Sequence, residues 1–285
     1  MSVKGILIPI GGNEDKGIDT HEADHLEFIE ASILARVVRE SGGPGARIII
    51  IPTASRIPVE VGRNYTDAFG KLGCRNVQVL NIRERAESED QKNIDLVRKA
   101  DCIMFSGGNQ SNITKKIGET TIHNILLDRF KKDAIVIAGT SAGAMCMSAE
   151  MITGGSSQES FFKGAVGMNK GMGFVPELII DSHFIRRGRF GRLAEAVAAF
   201  PNLLGVGLAE DTGLVIRECN TFEVIGSGMV ILFDPSKLTH NNQKILAQGE
   251  PMSLSNLKTH VLSNGDRFNI GKRKIKVLPL DSPFV

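Results

Sequence analysis

"DAIVIAGTSAGAMCM", residues 133 to 147, is an apolar run that ends in a cluster of small residues. Ile135, Val136 and Ile137 follow one another without polar alternation. Such a run fits a strand covered on both faces rather than one with a wet side. The glycines and alanines that follow surround Ser141 in a Gly-x-Ser-x-Gly frame and open into a helix-forming segment. Strand, sharp turn and helix in that order is the repeating unit of an α/β sheet.

Similar runs precede this one. "GILIPI" (5 to 10), "ARIIIIP" (46 to 52), "NVQVLNI" (76 to 82) and "DCIMFSGG" (101 to 108) alternate with longer amphipathic stretches. After Asp19, Leu26, Ile29, Ile33 and Val37 recur at helical spacing until "SGGPG" closes the segment. This βαβ alternation predicts a doubly wound, mainly parallel sheet with flanking helices. From about residue 205 the pattern changes to short runs separated by Asn-Gly and Gly-Ser turns, "GVGLAEDTGLVI", "TFEVIGSG", "MVILFD", "KTHVLSNGDRFNI" and "KRKIKVLP". These predict antiparallel strands that extend the sheet or pack beside it. With no repeat or linker, the chain reads as one α/β domain over residues 1–285, with a core from about 4 to 235 and a β extension from about 236 to 285. The Gly/Ser-rich stretch 154 to 174 reads as a functional loop.

Composition narrows the function. The balance of 34 Lys and Arg against 32 Asp and Glu leaves a net charge of +2, so nothing global attracts nucleic acid or a membrane surface. One tyrosine and no tryptophan also argue against a base-stacking surface. Cys74, Cys102, Cys146 and Cys219 are widely spaced and read as free thiols of a reducing compartment. The apolar stretch at the N-terminus is too short for a signal peptide or a membrane span, so a soluble cytoplasmic protein is expected.

Ligands of such sheets bind at the carboxyl ends of the parallel strands. Four strand-end loops, "GGNEDKG", "PTASR", "SGGNQ" and "GTSAGA", are therefore expected to converge. In "GTSAGA", Ser141 has the setting of a nucleophile on a strained elbow; the bland alternative is that the glycines only let helix and strand pack closely. If Ser141 is a nucleophile, the Ala142 N–H supplies half of an oxyanion hole, and Gly107 and Gly108 are placed to supply the rest.

The serine needs a base. Of six histidines, His183 in "IIDSHFIRRGRFGRL" stands in the richest setting, after an apolar run and before Arg186, Arg187, Arg189 and Arg192. Four arginines without a lysine favour bidentate binding of carboxylates over a merely solvated face. Glu159, Asp181 and Glu210 are the candidates for the carboxylate that orients the imidazole. "HEADH" (21 to 25) matches a zinc motif with His21, His25 and Glu22, but it reads better as a helix start capped by Asp19, and no third ligand is evident. Neither "GGNEDKG" nor "PTASR" has phosphate-loop spacing. No metal or cofactor is expected.

"IPIGGNEDK", "FSGGNQ", "GTSAGA", "DSHFIRRGRFGRL" and "GLAEDTGLVI", in this order, resemble the S51 serine peptidases, cyanophycinase and its relatives, which include the aspartyl dipeptidases called peptidase E. The resemblance spans roughly residues 5 to 235. It implies a fold like that of class I glutamine amidotransferases, flavodoxin-like, with serine in place of cysteine. It further implies Ser141 as nucleophile, His183 as base and Glu159 as the orienting acid. By the same resemblance, Gln110, Asp181, Arg187, Arg189 and Arg192 fall on positions that line the substrate pocket in cyanophycinases, and Glu210 on another family motif near the site. The implied reaction is exopeptidase hydrolysis, through an acyl-enzyme, of cyanophycin, a polyaspartate with arginine on each β-carboxyl, to β-Asp-Arg dipeptides. Relatives imply a homodimer. Where many cyanophycinases carry glutamine before the histidine, this chain has Ser182. Three other readings compete. One is a peptidase E-like aspartyl dipeptidase acting on short Asp-X peptides. The second is an α/β-hydrolase esterase using His240 or His260, and the third a non-catalytic protein that binds an aspartyl or arginyl metabolite.

Overall fold

The computed structural model describes residues 3–17, 28–155 and 160–279. The N-terminal half runs β1 (Ile6–Ile10), α1 (Phe28–Ala31), α2 (Ile33–Glu40), β2 (Ile48–Ile51), α3 (Pro58–Lys71), β3 (Val77–Val79) and α4 (Gln91–Lys99). It continues through β4 (Cys102–Phe105), α5 (Gln110–Lys116), α6 (Thr121–Lys132), β5 (Val136–Thr140) and α7 (Ala142–Met145). The second half comprises β6 (Glu150–Gly154), β7 (Gly167–Lys170), β8 (Leu178–Asp181), α8 (Phe190–Ala199), β9 (Leu204–Leu208), β10 (Thr212–Arg217), β11 (Thr221–Gly226) and β12 (Val230–Asp234). Short strands close the chain: β13 (His240–Asn241), β14 (Leu254–Ser255), β15 (Lys258–Leu262), β16 (Arg267–Asn269) and β17 (Lys274–Lys276).

Among the described residues the main sheet has the order β17-β16-β11-β10-β1-β5-β4-β2-β3. β1, β5, β4, β2 and β3 are parallel neighbours, and the apolar runs explain why. Successive side chains of a strand point to opposite faces, so an all-apolar strand feeds two cores. Ile48 and Ile50 join one core with Val37, Tyr65 and Phe69 of α2 and α3. Ile49 and Ile51 join the other with Val97, Ile113, Leu126 and Phe130 of α4, α5 and α6. The α/β, doubly wound centre is thus the direct outcome of runs such as "IIII".

The tail adds to this sheet and also builds a second one. β10 pairs antiparallel with β1, and β11, β16 and β17 continue outward. β8, β9, β12 and β15 form the second sheet, parallel between β8 and β9 and antiparallel beyond. Residues after 236 therefore contribute edges to both sheets. Among the described residues no helix is long and apolar enough to cross a membrane.

Two local readings change. The helical period through Ile29, Ile33 and Val37 is broken at Ser32, whose hydroxyl accepts the Ala35 N–H at 3.1 Å and starts α2 afresh. Ile29 is consequently 68% exposed while Ile33 and Val37 are buried; Asp19 and Leu26 lie outside the described residues. The stretch 154 to 174 contains β7, which pairs with β6, and Glu195 of α8 accepts the N–H of Gly164 at 2.7 Å and of Val166 at 3.3 Å.

Candidate active site

The end of β1 fixes three segments at once. Carbonyls of Ile10, Gly11 and Gly12 accept the N–H groups of Ser141 (2.8 Å), His183 (2.8 Å) and Asp211 (2.9 Å). The turn after β5, the turn after β8 and the turn after β9 are thereby tied to one short length of backbone. Both sheets present their parallel strands' carboxyl ends here, where α/β sites form. A cavity of about 460 Å³ opens at this edge, lined by Gly12, Gly107, Gly108, Ser141, His183 and Arg187, with Glu14, Lys16, Tyr65 and Thr140 also in its wall. That volume suits a small ligand.

Ser141 has φ 50° and ψ −107°, a conformation that a side chain disfavours. The flanking glycines make it feasible. A β-carbon on Gly139 would lie 2.5 Å from the Gly143 carbonyl oxygen, and one on Gly143 would lie 2.4 Å from that of Phe105. Close helix–strand packing and the half-buried serine are therefore two aspects of one turn. Gly107 abuts the serine, since a β-carbon there would stand 3.5 Å from Ser141 Cβ. Ala142 begins α7, so its N–H belongs to the unsatisfied first turn of a helix.

His183 also has positive φ, 48°. Its Nδ1 lies 2.7 Å from Glu210 Oε1, and Arg186 donates to Glu210 Oε2 at 3.0 Å. An ionised carboxylate only accepts, so Nδ1 carries the hydrogen and Nε2 is the basic nitrogen. Burial pushes the Glu210 carboxyl up, but hydrogen bonds and charge from His183 and Arg186 outweigh it and hold it below the usual range. For His183, burial lowers the pKa, Glu210 opposes, and the charges of Arg187 and Arg189 lower it further; the net direction is down. This direction favours the neutral imidazole over the imidazolium. Gly12 leaves room for the ring: a β-carbon there would lie 2.4 Å from its Cε1, and φ is +110°. Ser141 Oγ is 3.4 Å from Ser182 Oγ, which also approaches Met145 Sδ at 3.3 Å.

The remaining residues named from sequence fall in different places. Of the run after His183, Arg187 lines the cavity. Arg192 and Arg189 are turned to Asp181, which is fully buried: Arg192 Nε donates to Asp181 Oδ2 at 2.6 Å, Arg192 NH2 to Oδ1 at 2.5 Å and Arg189 NH1 to Oδ1 at 3.1 Å. Gln110 donates to the Ile152 carbonyl at 2.7 Å. Glu159, His21, Glu22 and His25 lie outside the described residues. Cys146 donates to the Gly143 carbonyl at 3.2 Å, and burial pushes its thiol up, away from reactivity. Among the described residues no cluster of His, Cys, Asp or Glu gathers in the manner of a metal site.

Glu14 and Lys16 carry no signal in the sequence beyond their place in "GGNEDKG". Glu14 is buried, accepts from the Tyr65 hydroxyl and from Thr140 Oγ1 at 2.5 Å, and pairs with Lys16 at 2.9 Å. Burial raises its pKa, but Lys16 and the bonds from Thr140 and Tyr65 together hold it below the ordinary value.

The sequence profile of Peptidase family S51 matches residues 19–224. This chain belongs to peptidase family S51. A cyanophycinase of Trichormus variabilis is 36% identical over 275 residues, covering 96% of this chain and 89% of that protein. A cyanophycinase of Geminocystis herdmanii is 36% identical over 267 residues, covering 94% of each. The fold is shared with a solved peptidase from an acI-B1 Actinobacterium, at TM-score 0.65 and 19% identity over 94% of this chain and 98% of that one. As an S51 member the chain is a serine-type peptidase.

Proposed function

We propose that this S51 peptidase is a serine exopeptidase that degrades cyanophycin to β-Asp-Arg dipeptides through an acyl-enzyme. Ser141 attacks the scissile carbonyl, and His183 Nε2 takes its proton and returns it to the leaving amine. Glu210 holds the ring and stabilises the imidazolium. The N–H groups of Ala142 and of the Gly107–Gly108 loop receive the oxyanion. The observation that carries this chemistry is the 2.7 Å contact of Glu210 with His183 Nδ1, which leaves a neutral Nε2 in the cavity that Ser141 also lines. The substrate class rests on the relatives, since cyanophycinases align over nearly the whole chain.

The Ser141 hydroxyl lies 3.4 Å from Ser182 Oγ, and this mechanism requires it to turn to the imidazole when substrate enters. Purified protein should release β-Asp-Arg from cyanophycin, and Ser141→Ala should release none while keeping its melting temperature within a few degrees. Cleavage of short Asp-X peptides without release from the polymer would move the assignment to a peptidase E-like dipeptidase.

A further inference from the structure

With Arg189 and Arg192 committed to Asp181, the cationic side chains in the wall of the cavity, among the described residues, are Arg187 and Lys16. Arg187 is exposed and has no carboxylate partner among the described residues. Lys16 is held differently. Its Nζ is 2.9 Å from Glu14 Oε1, 3.2 Å from the Glu14 carbonyl oxygen and 5.1 Å from the centre of the Tyr65 ring. An ammonium has three N–H groups, and Glu14 engages two of them. Among the described residues nothing else takes the third, which is left for a ligand on a side chain 22% exposed.

A lysine is ordinarily a mobile point charge on a flexible stem. Here the stem is fixed. Glu14 is itself buried and held at both oxygens, to which Tyr65 and Thr140 donate. Thr140 immediately precedes Ser141 in the chain. Glu14 thus couples the position of the ammonium to the backbone of the candidate nucleophile, and the ordering entropy is met before substrate arrives.

We propose that Lys16 is a specificity-determining residue of this site: its fixed ammonium, with Arg187, receives a substrate carboxylate next to the scissile bond. Under the proposed function, on which only the identity of the substrate rests, each arginine of the polymer brings a free α-carboxylate. A neutral capped peptide makes no such contact. Glu14 and Tyr65 then act as positioning residues, through Lys16.

Binding is measured by calorimetry on the Ser141→Ala background, with the β-Asp-Arg dipeptide and its diamide, in which both carboxylates are capped. The dipeptide should bind about tenfold tighter or more, the scale of a charge-assisted hydrogen bond. Lys16→Met should remove most of that preference by weakening the dipeptide far more than the diamide, and Lys16→Arg should restore much of it. An equal loss for both ligands assigns Lys16 a purely structural role and overturns the proposal, as does an unchanged preference. If Lys16→Met does not fold, the background variant alone decides against the proposal when it binds dipeptide and diamide equally. Release of dipeptide from cyanophycin by the wild-type chain is assayed separately. No release with the carboxylate preference intact removes the polymer assignment alone, and release without the preference removes the role of Lys16 alone.

Discussion

His183 Nδ1 and Glu210 Oε1 are 2.7 Å apart, so one carboxylate sets which ring nitrogen is basic. Glu210→Gln offers an amide that satisfies Nδ1 equally well in the wrong tautomer, with Nε2 protonated. The expected loss in kcat is on the order of 10³- to 10⁴-fold, with little change in KM. Glu159→Gln is the matched control for the carboxylate that the family resemblance implies. A larger loss at Glu159 than at Glu210 would assign the orienting role to Glu159 instead.

The pH dependence follows from the charges around the same ring. Burial and the cations of Arg187 and Arg189 lower the His183 pKa, with Glu210 opposing them. Activity requires the neutral imidazole, so kcat/KM should rise with pH through a midpoint below the ordinary histidine value of about 6.5. Removing a nearby cation makes the imidazolium less unfavourable. Arg187→Gln should therefore move the midpoint up, and Glu210→Gln should move it down. A pH–rate profile of each variant checks the two signs, and a midpoint that stays put in Arg187→Gln would refute the electrostatic account.

Ser141 occupies a strained conformation, φ 50° and ψ −107°, at a cost of order 1–3 kcal/mol. Ser141→Gly should relieve part of it and gain about 1 kcal/mol of stability while abolishing hydrolysis. Denaturant unfolding against the wild type reads the gain. A destabilised glycine variant would mean that the turn holds no strain.

What the sequence made legible has a physical boundary. Continuous apolar runs at 46 to 52 and 133 to 139 reveal a strand buried on both sides because both faces must be apolar. Gly-x-Ser-x-Gly and His183 are readable because each sits where a run ends. Contacts between distant segments are not readable in this way. "RRGRFGR" looks like a carboxylate-binding strip, yet Arg189 and Arg192 turn inward to Asp181, a pairing that depends on the burial of Asp181. The break at Ser32 was hidden because Ile29 keeps the helical period although it faces solvent. Lys16 was silent because its fixation needs Glu14, Tyr65 and Thr140, which the fold brings together from three segments.

The same inward turn separates the arginines by what they support. Asp181 is fully buried and the Arg192 side chain is 5% exposed, so neither charge reaches water. Asp181→Asn leaves both guanidiniums without their countercharge and should destabilise the fold by about 3–5 kcal/mol, as breaking a buried pair does. Arg192→Met strands the carboxylate, with Arg189 still on one oxygen, and should cost a comparable amount. Arg187→Met removes an exposed cation and should leave unfolding within about 0.5 kcal/mol of wild type while raising KM for the anionic substrate. Thermal melts run beside KM measurements separate the two classes. A variant at Arg192 that melts like wild type yet loses substrate affinity would return that residue to the pocket wall.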